Sequence, residues 1–316
     1  MVALDRVRSA EARRAPRDGP GRSAARPGVT TGGREGPQAR NFRLVLEYDG
    51  RDFEGWQIQS GNRPARTVQG VLEATVESLT GHAASIRGAG RTDAGVHAVA
   101  QVASLRVVTD FSAATLIRAL NARLPRDLAV RACAEAPLDW DALREARGKH
   151  YRYQVWNGRE RSPLREHRFL WLRAPLDPGR MAEAAGAFVG THDFAAFQGA
   201  GSDVKTTVRT IDALRIEGEQ GGEIRFEVEG SGFLRHMVRN LVGTLIEIGR
   251  GRWAVDQAHE ILASRDRGRA GPTAPARGLV LVSVRDGWRG KRLPAPLDPG
   301  DSGSPARLVD ETGPVG

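Results

Sequence analysis

The chain has 316 residues, with 47 lysines and arginines against 38 acids for a formal charge of +9. With 40% hydrophobic and 27% charged residues it reads as a globular chain of about two domains, which excludes an intrinsically disordered protein; no run of ~18 apolar residues exists, which excludes a helical membrane span. A single cysteine, Cys133, excludes an internal disulfide and a thiolate zinc site.

Residues 1–40 come first in chain order and hold nine arginines and four acids, or +5 of the total charge. Six glycines, four prolines and no aromatic residue cannot pack a core, so this stretch reads as a disordered basic tail. It lacks the 7–15-residue apolar stretch of a secretory signal. An Arg-rich organellar targeting segment is the alternative, and Asp5, Glu11, Asp18 and Glu35 count against it, so a cytoplasmic location is expected. At the other end, residues 288–316 hold four charges of each sign and Pro-rich, Gly-rich runs, and read as a loose C-terminal tail. Only about +4 is then left for the folded part, so the tail accounts for more than half of the headline charge.

In the folded part, Phe42, Leu44, Leu46 and Tyr48 alternate with Arg43, Val45 and Glu47 and predict a strand ending at Asp49-Gly50. Thr67 caps a helical pattern through Val68, Val71, Leu72, Val76 and Leu79, closed by Gly81. A short strand over 83–87 enters a glycine-rich turn over 88–95, and 98–108 is again a strand. A helix with Leu116, Ile117, Leu120 and Leu124 on one face follows, stopped by Pro125, and then the strand holding Cys133, which reads as a core thiol. That order, βαββαβ over 41–147, is the N-terminal α/β domain carrying the glycine turn.

A second α/β domain spans 148–287. Its predicted strands cover 151–156, 169–172, 205–217 and 223–229, with a helix over 179–189. The strongest helical stripe in the chain is Leu234, Met237, Val238, Leu241, Val242 and Leu245, predicting a helix over 233–249. A shorter helix over 255–263 and a strand over 279–284 close the fold. Both halves approximate a ferredoxin-like unit.

Three stretches could do chemistry. The turn Gly88-Ala-Gly-Arg-Thr-Asp-Ala-Gly95 is neither a dinucleotide fingerprint, since Asp93 takes the sixth position, nor a P-loop. It sets Asp93 between glycines, where a guanidinium such as Arg91 or backbone N–H groups would keep it ionised as a nucleophile requires. Taken alone, it reads more simply as an Asp that stabilises its own turn. On the helix over 233–249, Arg235, His236, Arg239 and Asn240 fall opposite the apolar stripe, a set suited to phosphate or to a buried carboxylate. The third stretch, Lys149-His-Tyr-Arg-Tyr153, interleaves basic and aromatic residues, with Tyr151 and Tyr153 on one face as core filling or as a platform for a nucleobase. The seven histidines show no pair at metal-ligand spacing, a serine-hydrolase elbow is missing, and so is an RNP1 strand.

Taken together and in order, Glu47-Tyr-Asp-Gly50, Phe53-x-Gly55-Trp-Gln57, Thr67-Val-Gln69, Gly90-Arg-Thr-Asp-Ala-Gly-Val-His97, Tyr151-Arg-Tyr153, Phe233-x-x-His236-Met-Val-Arg-Asn240 and Thr273-Ala-Pro-Ala-x-Gly-Leu279 resemble the tRNA pseudouridine synthase A family over about 42–285. The resemblance implies two ferredoxin-like α/β domains sharing one long mixed sheet with helices packed on it, around a basic cleft. It implies a homodimer without cofactor or metal, acting on uridines 38, 39 and 40 of the tRNA anticodon stem-loop. It further implies Asp93 as the catalytic aspartate and Tyr151 as the tyrosine that stacks on or deprotonates the target base. Arg239 becomes the arginine paired with the carboxylate, Arg91 a holder of the flipped nucleotide, and Arg235 and His236 further RNA contacts. The pattern departs from the family at Leu143, where an RNA-contacting arginine is expected, and in lacking a cysteine within 197–202.

The implied reaction breaks the N1–C1′ bond, turns the uracil and joins C5 to C1′. Asp93 attacks C1′, eliminates across C1′–C2′ or adds at C6; the sequence does not choose among them. A single carboxylate suffices, because uracil leaves as a delocalised anion and needs no second acid, unlike the alkoxide leaving group of a glycosidase. The competing readings are a catalytically silent RNA-binding protein of the same fold and a uridine C5-methyltransferase, which would need a well-placed cysteine.

Overall fold

The first strand reaches further than its alternation suggests. In the computed structural model, which describes residues 37–59, 65–201 and 204–289, β1 spans Gln38–Tyr48 and so takes residues 38–40 from the stretch assigned to the basic tail. Their partners are Val107, Val108 and Thr109, and it is this pairing with a distant strand that orders them. The rest of both tails, 1–36 and 290–316, lies outside the described residues.

The expected βαββαβ order follows: β1, α1 (Val68–Thr80), β2 (Ser85–Gly88), β3 (His97–Thr109), α2 (Ala113–Arg123) and β4 (Leu128–Ala136). Thr67 Oγ1 accepts the Gly70 N–H at the start of α1, and Gly81, at φ 72°, ends it. Ser112 caps α2 in the same way through the Thr115 N–H. Cys133 is half-buried on β4, and burial pushes its thiol up to about 12, which suits a packing residue and not a nucleophile.

The second half contains α3 (Ala142–Glu145), β5 (Ala146–Trp156), β6 (Leu170–Trp171), α4 (Pro178–Ala185), β7 (Gly190–Asp193), β8 (Val208–Gly218) and β9 (Glu223–Gly230). After these come α5 (Met237–Gly249), α6 (Gln257–Ser264) and β10 (Leu279–Asp286). The four-residue α3 and the strand β7 are too short to leave a periodic signal. Leu143, the departure from the family pattern, is exposed on α3.

The apolar stripe of 233–249 misplaces the start of its helix. The Gly199 N–H donates to the Arg235 carbonyl at 2.8 Å, and His236 sits at φ 59°, so α5 begins only at Met237. Its polar positions are not a solvated face either. Asn240, Thr244 and Glu247 are all buried.

The ten strands of the described residues form one mixed sheet, ordered β4-β1-β3-β10-β5-β9-β8-β7, with β2 on β3 and β6 on β5. The pairs β3–β10 and β5–β6 are parallel and the others antiparallel. One apolar face, with Leu44, Leu46, Tyr153, Val155, Phe226 and Val228, packs with Leu72, Leu120 and Leu245 of α1, α2 and α5 into a common core. On the strands of the second half, the opposite face carries ion pairs, among them Glu227 with His150 and Arg152, and Arg215 with Glu229. The last strand, β10, lies between β3 and β5, so it joins the strands of the first half to those of the second.

Candidate active site

That insertion builds the site. Leu281 of β10 pairs with Ala98 on one side and with Tyr151 on the other, and Tyr151 pairs with Val228. The start of β3, and with it the turn that carries Asp93, is thereby brought one strand away from Tyr151.

The turn is held on several sides. Trp56 N–H donates to the Thr92 carbonyl at 3.0 Å, Gly95 N–H to the Phe53 carbonyl at 3.2 Å, and Val96 N–H to the Asp93 carbonyl at 3.2 Å. Gln101 Nε2 donates to the Gly90 carbonyl at 2.8 Å. Beneath it, Thr92 Oγ1 and the Tyr48 hydroxyl lie 2.9 Å apart, and burial pushes that phenol up to about 12. Gly55, at φ 96°, lets the 53–56 segment come against the turn: a Cβ there would stand 2.8 Å from the Thr92 carbonyl oxygen.

Asp93 meets a guanidinium from the other half of the chain. Arg239 Nη1 donates to Asp93 Oδ2 at 3.0 Å, and the two side chains are 14% and 29% exposed. Arg239 Nε donates to the Ala274 carbonyl at 2.7 Å, which fixes the direction from which the arginine approaches. His236 Nε2 lies 3.5 Å from the same Oδ2. Burial holds the imidazole below its ordinary range against the pull of Asp93, and Arg239, Arg235 and Arg267 add to the lowering. At neutral pH it is uncharged, which leaves Arg239 as the cation on the carboxylate. Oδ1 accepts no hydrogen bond from any described residue.

Tyr151 is buried, with Phe233 against its ring edge-on at 5.3 Å and 89°. Burial drives its phenol above the usual tyrosine range, with Tyr48 and Asp93 adding to the rise, so the hydroxyl keeps its proton at neutral pH. The segment 273–278 closes the back of the site: the Tyr153 hydroxyl donates to the Pro275 carbonyl at 2.8 Å, Thr273 Oγ1 to Asn240 Oδ1 at 2.6 Å, and His97 Nε2 lies 3.2 Å from the Arg277 carbonyl. Asn240 Nδ2 donates to the Phe197 carbonyl, so this buried amide ties α5 to two loops.

Arg91 is exposed and pairs with no described residue. Arg235 is exposed too and does not reach Asp93; its Nη1 donates to the carbonyls of Ala200 and Gly201 at 2.8 and 3.3 Å. The guanidinium that meets the carboxylate is thus Arg239 and not the neighbouring Arg91.

The family model of the tRNA pseudouridine synthases matches residues 44–143 and 184–285, which takes in Asp93 and Arg239. The chain belongs to the tRNA pseudouridine synthase family. A tRNA pseudouridine synthase A from Myxococcus xanthus is 48% identical over 248 residues, covering 78% of this chain and 92% of that protein. The protein of that name from Acetivibrio thermocellus is 44% identical over 245 residues, covering 78% and 99%. Among solved structures, that of an archaeal box H/ACA sRNP Nop10–Cbf5 complex covers 65% of this chain and 44% of the other at 12% identity, with a TM-score of 0.29, too low to bear on fold or function.

As a tRNA pseudouridine synthase, the chain is an isomerase of tRNA uridine, and several residues around its Asp93 escape sequence reasoning. Gly55 and Trp56 carried a visible signal in their Gly-Trp pair, but nothing local says that they clamp the Asp93 turn. Gln101 interrupts the apolar run Ala98–Ala103 of β3, and that interruption was the only sign of its role. Ala274 and Pro275 lie in the 273–279 motif, but they act through main-chain carbonyls, whose partners no side chain reveals.

Proposed function

We propose that the chain converts uridines 38, 39 and 40 in the tRNA anticodon stem-loop to pseudouridine, with Asp93 as the catalytic carboxylate. The observation that carries this reading is the Asp93 carboxylate held at Oδ2 by Arg239 at 3.0 Å, with Oδ1 unengaged by described residues and its charge felt at the Tyr151 phenol. Attack at C1′, elimination across C1′–C2′ and addition at C6 each require an ionised carboxylate with one free oxygen. The ion pair with Arg239 supports both conditions.

The target nucleotide leaves its stack at a cost of a few kcal/mol, offset by stacking on Tyr151 and by contacts of Arg91 with the RNA. Arg235 and His236 are further RNA contacts in this reading. Uracil departs as its anion, turns, and bonds through C5 to C1′; the C5 proton then leaves and N1 gains one, so the isomerisation is balanced without a cofactor. The chain acts as a homodimer in the cytoplasm, its cleft lying between α/β domains of 41–147 and 148–287.

Tritium release from tRNA containing [5-³H]uridine tests the reading. Release without added S-adenosylmethionine is expected, and it disappears in Asp93→Ala while binding of the tRNA persists. Anticodon stem-loops with a single uridine at 38, 39 or 40 are each expected to release label. Failure of the parent protein to release tritium from any of them refutes the proposal.

A further inference from the structure

Lys149 lies on β5 two residues before Tyr151, on the same side of the strand, and the chemistry above makes no use of it. Its far end lies on the Asp93 turn: a Cβ at Gly90 would stand 2.6 Å from Lys149 Cε and 2.9 Å from Nζ. Only the absence of a side chain at position 90 leaves the ammonium this place. Across the sheet, Lys149 pairs with Gly230 of β9, and Gly230 pairs with Ile211 of β8. Arg209 stands two residues before Ile211 on that strand, and its Cδ lies 4.0 Å from the Cβ position of Gly232.

No described carboxylate pairs with Lys149 or with Arg209, whose Nη1 instead donates to the carbonyls of Thr206 and Val208 at 2.9 and 2.6 Å. Those bonds orient the guanidinium without neutralising it. Burial, and then the charge of Arg209, keeps the Lys149 ammonium below the ordinary lysine range, and burial does the same to Arg209. The buried Arg43, by contrast, is paired with Asp286 at 2.8 Å. Two half-buried cations without a counter-charge are costly to hold together, and an arriving anion relieves that cost.

We propose that Lys149 and Arg209 form a phosphate clamp at the mouth of the Asp93 cleft, gripping the RNA backbone beside the flipped nucleotide. The clamp rests on the reading of the chain as acting on tRNA. A lysine and an arginine suit this ligand because they meet phosphate oxygens as a point charge and as a fork, and neither reads the sequence.

The test uses the full chain carrying Asp93→Ala, so that binding is read without turnover, and an anticodon stem-loop RNA titrated at several salt concentrations. Lys149→Gln and Arg209→Gln are each expected to lower the slope of log Kd against log salt by about 0.7 to 0.9, and to weaken binding roughly tenfold at low salt. An RNA with one neutral methylphosphonate, moved along the phosphates flanking the target uridine, is expected to weaken the Lys149 form at one position and to have no further effect there on Lys149→Gln. Lys149→Gln is also expected to keep or raise the urea midpoint of the free protein, because it removes an uncompensated charge. A fall in that midpoint, or slopes unchanged in both variants while the RNA still binds, overturns the clamp. No salt-dependent RNA binding by the Asp93→Ala chain itself overturns the underlying tRNA reading instead.

Discussion

Gly55→Ala tests whether the turn carrying Asp93 is held by contact with the 53–56 segment. The position has φ 96°, where an L-residue costs about 1–2 kcal/mol, and its new Cβ would meet the Thr92 carbonyl oxygen at 2.8 Å and the Ala94 nitrogen at 3.2 Å. An ordinary carbon–oxygen contact is about 3.3–3.6 Å, so the turn must retreat by about 0.5 Å. Thr92 and Ala94 flank Asp93, and the retreat passes to the carboxylate held at 3.0 Å by Arg239. With about 10²-fold lost per ångström of misplacement, kcat falls about tenfold. The backbone strain lowers the melting temperature by about 2–8 °C in a domain of this size. Single-turnover tritium release gives kcat, and filter binding gives the tRNA Kd, which is expected to stay within about twofold because Asp93 is not the main RNA contact. Gly81→Ala is the control: it has φ 72° with nothing within 4 Å, so it carries the strain without the close approach and should lose stability alone. A folded Gly55→Ala protein with the kcat of the parent, or equal kcat losses in the two variants, would refute the reasoning.

Two further predictions concern the neighbours of Asp93. Tyr151→Phe keeps the ring and its edge-on contact with Phe233 but removes the hydroxyl, so tRNA binding should hold within about twofold while kcat falls by about 10²-fold or more if the hydroxyl relays the C5 proton. Burial keeps this phenol protonated, so kcat should show no rise from its ionisation between pH 7 and 9; a Tyr151→Phe enzyme within about threefold of the parent rules the relay out. His236 has a folded-state value depressed below its ordinary one, so the unfolded chain binds more protons in the interval between the two. Stability is then lost as pH falls from the ordinary histidine range towards the folded value, and His236→Gln should flatten that part of the curve of urea midpoint against pH. Identical pH curves for parent and variant would count against the burial of this imidazole as the cause.

Local rules made much of the fold readable. Thr67 and Gly81 bracket α1 because a side-chain cap and a left-handed terminus are properties of a few adjacent residues. The helix α5 shows where such rules stop. Its apolar stripe runs back to Leu234, but a bond from Gly199 takes the Arg235 carbonyl and His236 turns to positive φ, so the helix starts at Met237. The four polar positions of that stretch looked alike from the sequence. In the fold they separate, with Asn240 fully buried, Arg239 on Asp93, His236 beside it and Arg235 on a loop.

The sequence by itself determined which residues are chemically capable: an aspartate in a glycine turn, a tyrosine on an alternating strand, and arginines and a histidine around an apolar stripe. Those follow from side-chain chemistry and short-range periodicity. It also put a large share of the excess positive charge outside the fold: with Arg40 taken into β1, residues 1–36 still hold +4 of the +9, so that net charge is a poor guide to the folded surface. Only the tertiary structure decided which of these groups meet. Arg239 lies 146 residues from Asp93, and the two come together because β10, last in the chain, enters between β3 and β5 and draws the two halves into one sheet. Pairing between strands so far apart is set by the burial of whole faces and by register across neighbours, which no window of adjacent residues contains.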